Sequence, residues 1–225
     1  MANVFVSGAT GYLGSRLIPV LAGRGHTVKA LSRKNGAIPH CETVKGDALS
    51  ADSFSRPLAG CDTLVHLTGT PRPTPWKERE FRAVDLPSLI ASAEAARQAG
   101  TVRHFIYVSV AQPAPVMKAY QRVRGEAENH LAGCGFGRTI LRPWYVLGPG
   151  HWWPLALLPV YAVAERLPAA RQAALRLGLV TVAQMIAALV QAVEQPVRGC
   201  RLVETPAIRL AALTSSPARL PDDDL

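Results

Sequence analysis

Three glycines spaced three residues apart follow the first apolar run of the chain, within the segment VFVSGATGYLGSRL. Gly8 permits a tight turn, Gly11 lets the backbone approach a pyrophosphate, and Gly14 lets the following helix pack close to the strand. The start of that helix offers unbonded N–H groups and a partial positive charge, which attract phosphate. Because the glycines stand between a predicted strand and an amphipathic helix, we predict a dinucleotide-binding turn. Its predicted contact residues are Gly8, Thr10, Gly11, Tyr12, Leu13 and Gly14.

Short apolar runs alternate with helical patterns along most of the chain. Strands are predicted in NVFVSG, HTVKALSR, CETVKGD, DTLVHLTG, RHFIYVSV and GRTILRP, with a late strand around GCRLVET. Helices are predicted after the glycine turn and over 50–58, 86–99 and 118–131. Ser50 or Asp52 is a candidate cap for the second helix, and Pro19 should kink or loosen the first. This alternation predicts an α/β fold with a doubly wound parallel sheet.

The chain of 225 residues, 48% hydrophobic and 18% charged, is long and apolar enough to bury a full core. We predict one domain over 1–215 and a flexible tail over 216–225. The strict alternation is lost after the sixth predicted strand. We therefore expect 143–198 to form a small helical annex on the substrate side of the sheet.

The formal net charge of +9 comes from 20 Arg and 5 Lys against 16 acidic residues. The basic residues are scattered singly, with no run longer than Arg33-Lys34. Scattered charges are typical of a solvated surface, whereas a nucleic-acid-binding surface concentrates them in a patch or stripe. We therefore expect a small-molecule substrate and no nucleic-acid partner.

The cysteines and histidines show no metal-binding spacing. Four cysteines form no C-x-x-C pair and six histidines are dispersed, so we predict no metal site and expect a reduced, cytoplasmic protein. The start of the chain lacks the pattern of a signal peptide.

The longest apolar stretch covers 152–164, thirteen residues interrupted by Pro154 and Pro159. It is too short to cross a bilayer, which takes about twenty residues, so no transmembrane segment is predicted. The sequence leaves open whether this stretch covers a ligand, docks on a protein or membrane surface, or packs in the core. It also leaves the oligomeric state open.

The end of the second predicted strand indicates which dinucleotide is bound. It reads LSRK and carries no acidic residue. An acid at this point would hold the ribose 2′-hydroxyl of NAD, whereas a guanidinium would hold a 2′-phosphate through charge-assisted hydrogen bonds. Ser32, Arg33 and Lys34 therefore predict NADP(H) in preference to NAD(H).

Taken together, several segments resemble the atypical and extended branch of the short-chain dehydrogenase/reductase superfamily, over residues 3 to about 205. They are VFVSGATGYLGSRL, KGDALS, LVHLTG, TILRPWYVLGPG, YQRVRGEAE and RLGLVTVAQMIAALVQAV. YQRVRGEAE is similar to the Y-x-R-x-K-x-x-A-E helix of complex I subunit-like and NAD-dependent epimerase/dehydratase-like members. The resemblance implies a Rossmann fold with further cofactor contacts from Asp47, Ala48, Leu67, Thr68, Gly69, Pro143 and Val146. The first two would flank the adenine, and the last two would lie near the nicotinamide.

The resemblance also implies a catalytic pair, with Tyr120 as proton donor and Arg124 holding the ribose. A spacing of four residues places both on one helical face, where a cation would lower the pKa of the phenol. Three positions depart from the family: its Lys is Arg124 here, its catalytic Ser or Thr is Ala111, and Gln184 stands where an acid is usual. Ser109 could supply the missing hydroxyl, but a polar residue at a strand end is more often a turn anchor.

Two functions therefore stay open. One is an NADP(H)-dependent oxidoreductase acting on a small carbonyl, alcohol or quinone-like compound. The short connection between Ala111 and Tyr120 makes a nucleotide-sugar substrate less favoured. The other is a protein that binds the dinucleotide without chemistry, as a sensor or assembly factor. The missing Lys and Ser/Thr favour the second function, and the retained Tyr120 favours the first.

Overall fold

The computed structural model describes residues 1–150 and 168–214. The apolar stretch 152–164 and the predicted tail 216–225 lie outside the described residues. The predictions made for them, and the division into one domain over 1–215, stay predictions.

Seven parallel strands form one sheet, in the order β3-β2-β1-β4-β5-β6-β9. They are β1 Asn3–Ser7, β2 Thr27–Ser32, β3 Glu42–Lys45, β4 Thr63–His66, β5 His104–Val108, β6 Gly137–Arg142 and β9 Cys200–Glu204. The chain builds outward from β1 to β3 and then returns to place β4 on the other side of β1. This order confirms the predicted doubly wound α/β fold, including the late strand. It creates a crevice where the loops that follow β1 and β4 diverge, and such sheets bind ligands at this point.

The helices cover both faces of this sheet. They are α1 Gly14–Gly23, α2 Ser55–Leu58, α3 Glu78–Glu80, α4 Leu86–Ala99, α5 Lys118–Ala132, α6 Pro168–Arg176, α7 Val182–Glu194 and α8 Thr205–Thr214. A 3-10 turn Ala51–Ser53 precedes α2, and a π-helical segment Phe81–Asp85 leads into α4. The helix predicted over 86–99 is confirmed, and it ends at Gly100 in the left-handed conformation with φ 70°.

Side chains alternate between two buried cores along each strand, because successive strand residues point to opposite faces. In β1, Val4 and Val6 join a core with residues of α1 and α7, whereas Phe5 joins the core with residues of α2 and α4. A strand buried on both faces is apolar at nearly every position, which explains the short unbroken apolar runs in the sequence.

The predicted cap of the second helix is wrong. Ser50 precedes the 3-10 turn without making a side-chain cap hydrogen bond, and the residue before α2 is Phe54. The hydroxyl of Ser53 stabilises this turn instead, because it accepts from the Asp47 backbone N–H at 2.9 Å and donates to the Ser50 carbonyl at 2.7 Å. Asp52 lies inside the turn and caps neither element.

A second, two-stranded parallel sheet pairs β7 Tyr145–Leu147 with β8 Leu179–Thr181. Helix α7 follows directly, and Thr181 and Gln184 form a reciprocal capping box at its start. The Thr181 backbone N–H donates to Gln184 Oε1 at 2.8 Å, and the Gln184 N–H donates to Thr181 Oγ1 at 3.1 Å. Gln184, which departs from the acid usual in the family, therefore stabilises the helix end.

Helix α1 continues through Pro19, which removes one backbone hydrogen bond from its interior. We expect Pro19→Ala to raise the free energy of unfolding by about 1–3 kcal/mol, measured by urea denaturation. Pro57→Ala is the matched control, because Pro57 lies in the first turn of α2, where its missing N–H has no helical partner to lose. A decrease in stability for Pro19→Ala would show that the proline ring is required for packing.

Candidate functional site

Two adjoining cavities open at the carboxyl ends of β1 and β4. We call them the Tyr120 cavity, of about 380 Å³, and the Arg33 cavity, of about 460 Å³. These volumes are typical of ligand pockets. Among the described residues, both are lined by Gly8, Gly11, Leu67, Gly69, Thr70 and Pro71. The glycine turn therefore lies at the centre of one elongated site.

The glycine turn has the geometry that its spacing predicts. Gly8 has φ 76°, and a Cβ on it would lie 2.6 Å from the Leu67 carbonyl carbon. A Cβ on Gly14 would lie 2.4 Å from the Gly8 oxygen, so only glycine lets α1 pack this closely. Leu13, at the start of α1, makes no side-chain cap hydrogen bond. The turn can therefore accept a phosphate close to its backbone, which is the fit that a dinucleotide requires.

The Arg33 cavity contains the predicted adenine end of the site. Ser32, Arg33, Asp47 and Ala48 all contribute to its wall, together with Thr10 and Thr68. Arg33 is exposed, so its guanidinium is accessible to a ligand. These residues come from the ends of β2 and β3, which parallel pairing brings to one edge of the sheet.

The Tyr120 cavity contains the predicted catalytic pair. Tyr12, Leu13 and Gly14 from the glycine turn line it, and Tyr120 and Arg124 line it from α5. The Tyr120 ring packs against Phe81 with centroids 4.8 Å apart, and the Arg124 guanidinium lies 4.9 Å from the Tyr120 ring centroid. The helical spacing therefore brings the pair together as predicted.

Arg124 is held from several sides inside the protein. Its Nη1 donates to the Tyr107 hydroxyl at 3.1 Å and to the Val108 carbonyl at 3.0 Å. Its Nη2 forms an ion pair with Asp85 Oδ1 at 2.7 Å. Both terminal nitrogens thus contact protein atoms, and ribose binding by Arg124 stays a prediction.

Asp85 was not identified from the sequence. It ends the π-helical segment with only 1% of its surface exposed, and its Oδ2 accepts from the Thr70 N–H and hydroxyl at 3.0 and 2.6 Å. The available signal was an acidic residue inside the otherwise apolar run AVDLPSLI. Such a residue needs a buried partner, but sequence alone could not say that the partner was Arg124.

Arg124 does act to lower the pKa of Tyr120, as predicted, but burial outweighs this effect. The pKa of Tyr120 is raised, because burial disfavours the phenolate and the Asp85 carboxylate adds to this, against the opposing effect of Arg124. Tyr120 is therefore a neutral phenol at physiological pH, able to donate a proton.

Ser109 lines the Tyr120 cavity, but its hydroxyl donates to Glu128 Oε1 at 2.6 Å. Glu128 also forms an ion pair with Arg142 and accepts from Gln112 at 3.0 Å. This arrangement favours Ser109 as an anchor between β5 and α5. Ala111 is fully buried and donates its N–H to the Pro143 carbonyl at 2.9 Å.

Three predicted cofactor residues do not line either cavity as described. Lys34 is exposed in a turn whose backbone bonds with the Ser32 hydroxyl. Pro143 is buried, and Val146 lies in β7, paired with Val180. Their predicted contacts with the cofactor stay predictions.

Other residues line the site without having been identified from the sequence. They lie between β4 and α4, in the loop after β4 or in the short helical segments before α4: Thr70, Pro71, Arg72, Pro73, Glu80 and Val84.

A parallel sheet of this order, with a glycine turn at the point where strand order reverses, defines a dinucleotide-binding protein. A family model described as NAD(P)H-binding matches residues 8–148. The chain belongs to this NAD(P)H-binding family and is an atypical, epimerase-like member of the short-chain dehydrogenase/reductase superfamily.

Known relatives include reductases and dehydrogenases. The chain is 29% identical over 211 residues to the ceramide reductase of Caulobacter vibrioides, covering 92% of this chain and 65% of that protein. It is 28% identical over 119 residues to a 3-beta-hydroxysteroid dehydrogenase of Mycolicibacterium neoaurum, covering 48% and 32% respectively. The chain thus spans less than two thirds of the length of either relative. Among solved structures, UDP-N-acetylglucosamine 4-epimerase from Bacillus cereus has the same fold, with a TM-score of 0.68, 15% identity, and coverage of 90% and 75%.

In the part of the chain that the structure describes, no helix combines the length and the apolar character that crossing a membrane requires.

The close packing at Gly14 gives a sharp test of the turn. We expect Gly14→Ala to lower the melting temperature and to weaken NADPH binding by about tenfold or more, because its Cβ would displace the turn at a cost of about 1–3 kcal/mol. Gly23→Ala is the matched control on the same helix, since nothing lies within 4 Å of its Cβ. Cofactor fluorescence and thermal unfolding measure both effects. Normal NADPH affinity in Gly14→Ala would place the cofactor elsewhere.

Proposed function

We propose that the protein is an NADPH-dependent reductase that acts on the carbonyl group of an apolar or quinone-like compound. The observation that supports this most directly is Tyr120, a neutral phenol in the wall of a cavity that continues from the glycine turn. The names of two relatives, a ceramide reductase and a 3-beta-hydroxysteroid dehydrogenase, also favour an apolar substrate. Leu13, Pro73 and Val108 add apolar wall to this cavity.

Different residues along the site have different roles in this reaction. The glycine turn would hold the pyrophosphate, and Arg33 the 2′-phosphate. A bound nicotinamide supplies the hydride. Tyr120 donates its phenolic proton to the carbonyl oxygen as that oxygen gains charge. Phe81 and Arg124 both contact the Tyr120 ring and hold its orientation.

The proposed selectivity for NADPH rests on the residues at the end of β2, which line the Arg33 cavity. A carboxylate at the end of β2 would repel a 2′-phosphate, and that position is occupied by Ser32 and the exposed Arg33. A guanidinium binds phosphate with two parallel charge-assisted hydrogen bonds.

We expect Arg33→Ala to weaken NADPH binding by about 1.5–3 kcal/mol, or roughly 10- to 150-fold, and to leave NADH binding nearly unchanged. Lys34→Ala removes the neighbouring charge, which does not line the cavity, and serves as the control. Isothermal titration calorimetry with both cofactors measures the difference. Equal affinities of the parent protein for NADPH and NADH would refute the proposed selectivity.

We expect Tyr120→Phe to reduce the rate of carbonyl reduction by about 10²–10⁴-fold while leaving NADPH affinity unchanged, because only the proton donor is lost. Stopped-flow oxidation of NADPH against a panel of apolar ketones and quinones measures this. Turnover that survives the substitution would show that α5 does not carry the active site.

A second function has its own observations in support, namely binding of the dinucleotide without chemistry. The hydroxyl that would polarise a carbonyl is missing at Ala111, and the Ser109 hydroxyl already donates to Glu128 at 2.6 Å. Loss of one such donor typically reduces a rate by about 10²–10³-fold. A parent protein that binds NADPH but turns over no compound of the panel would favour this function.

A further inference from the structure

Arg124 lines the Tyr120 cavity and forms a buried ion pair with Asp85. The side chains of Asp85 and Arg124 are 0% and 7% exposed, and their charged atoms are 2.7 Å apart. A pair this deeply buried loses most of its contact with water, so it persists only where further hydrogen bonds satisfy both partners. Here Asp85 Oδ2 accepts twice from Thr70 and Arg124 Nη1 donates to Tyr107 and Val108, whereas Arg124 Nε has no hydrogen-bond partner among the described residues.

This pair joins parts of the chain that also line the site. Thr70 follows β4 and lines both cavities, and Arg124 lies beside the Tyr120 ring. A Cβ on Gly69 would lie 2.6 Å from Arg124 Nη2, so the backbone of this loop packs directly on the guanidinium. The ion pair is therefore held from several sides, with the Arg124 guanidinium 4.9 Å from the Tyr120 ring centroid.

We propose that Asp85 is a positioning residue that offsets the charge of Arg124 beside Tyr120 and so keeps Tyr120 in its proton-donating form during carbonyl reduction. The inference rests on the proposed reductase function. In this reduction, the carbonyl carbon gains a hydride supplied by NADPH, and the π electrons of the C=O bond move to oxygen. The Tyr120 proton forms the new O–H bond, and the phenolate regains a proton from water.

The charges around the phenol of Tyr120 help to determine whether it is protonated or ionised. An isolated cation beside Tyr120 would favour the phenolate, which is the base that alcohol oxidation needs. The Asp85 carboxylate opposes this effect, and burial disfavours the phenolate further. Arg72 is a further cation in the wall of the Tyr120 cavity, whereas Tyr107 and His66 are neutral at neutral pH. Burial raises the pKa of Tyr107 to about 12, and burial followed by the charge of Arg124 lowers that of His66 to about 3.

The decisive experiment follows the ionisation of Tyr120 directly, by NMR of the protein labelled with tyrosine carrying ¹³C at the ring Cζ. Tyr120→Phe assigns the signal among the five tyrosines of the chain. In the parent protein we expect Tyr120 to stay protonated at pH 10, where a free tyrosine is about half ionised. In Asp85→Asn the removal of the carboxylate leaves Arg124 unopposed, so the phenol should ionise at lower pH than in the parent.

Two further variants distinguish the effect of charge on the Tyr120 titration from the effect of a change in structure. Asp85→Asn/Arg124→Met removes both charges, and its Tyr120 phenol should ionise at higher pH than in Asp85→Asn. Glu128→Gln breaks another ion pair on α5 that does not contact Tyr120, and should leave the titration unchanged even if it lowers stability. A second readout is the pH dependence of kcat/KM for carbonyl reduction, which falls as Tyr120 ionises. We expect this fall to begin at lower pH in Asp85→Asn than in the parent.

The outcomes distinguish this inference from the proposed function. If no protein turns over any carbonyl, the reductase proposal fails, while the Tyr120 titration still decides the role of Asp85. An unchanged titration in a folded Asp85→Asn protein would overturn the inference, as would an equal shift in the double variant. If Asp85→Asn does not fold, the Tyr120 titration of the parent protein is the test. Half-ionisation of Tyr120 below pH 10 would then overturn the inference.

Discussion

The position of β4 beside β1 is the constraint on which the rest of the structure depends. Once the chain returns from β3 to pair β4 with the opposite edge of β1, the loops that follow these two strands diverge. The crevice between them has Gly8 at its base, in contact with the backbone at Leu67. Each later element, including α4 and α5, then adds side chains to the wall of an existing opening.

The electrostatics of this opening follow from burial. Tyr120 and Arg124 share one helical face, and in water the cation would promote ionisation of the phenol. Inside the protein, the charge of Arg124 must be balanced, and the buried Asp85 provides this at 2.7 Å. The ion pair holds the guanidinium in place, and we infer that it helps to keep the Tyr120 phenol protonated. Arg124, which replaces the family's Lys, uses both terminal nitrogens of its planar guanidinium in these contacts.

Much of the fold could be predicted from the sequence, since the central strands β1 and β5 are buried on both faces and are therefore largely apolar. The helix over 86–99 was also predictable, because Gly100 supplies the left-handed residue that ends it. The cap of α2 was not. Ser50 and Asp52 are typical capping residues, but the turn is stabilised by Ser53, whose partner Asp47 lies across a bend that local sequence patterns do not describe.

For the site, the sequence by itself determined the glycine turn, the approach of Tyr120 to Arg124 and the basic end of β2, because each depends on spacing within one or two elements. Only the tertiary structure decided the partner of Arg124 and the ionisation of Tyr120. Asp85 lies 39 residues before Arg124 in the chain, and they meet only because α4 and α5 pack on the same face of the sheet. Burial then decides which charge form is stable, and burial is a property of the packed molecule rather than of any segment.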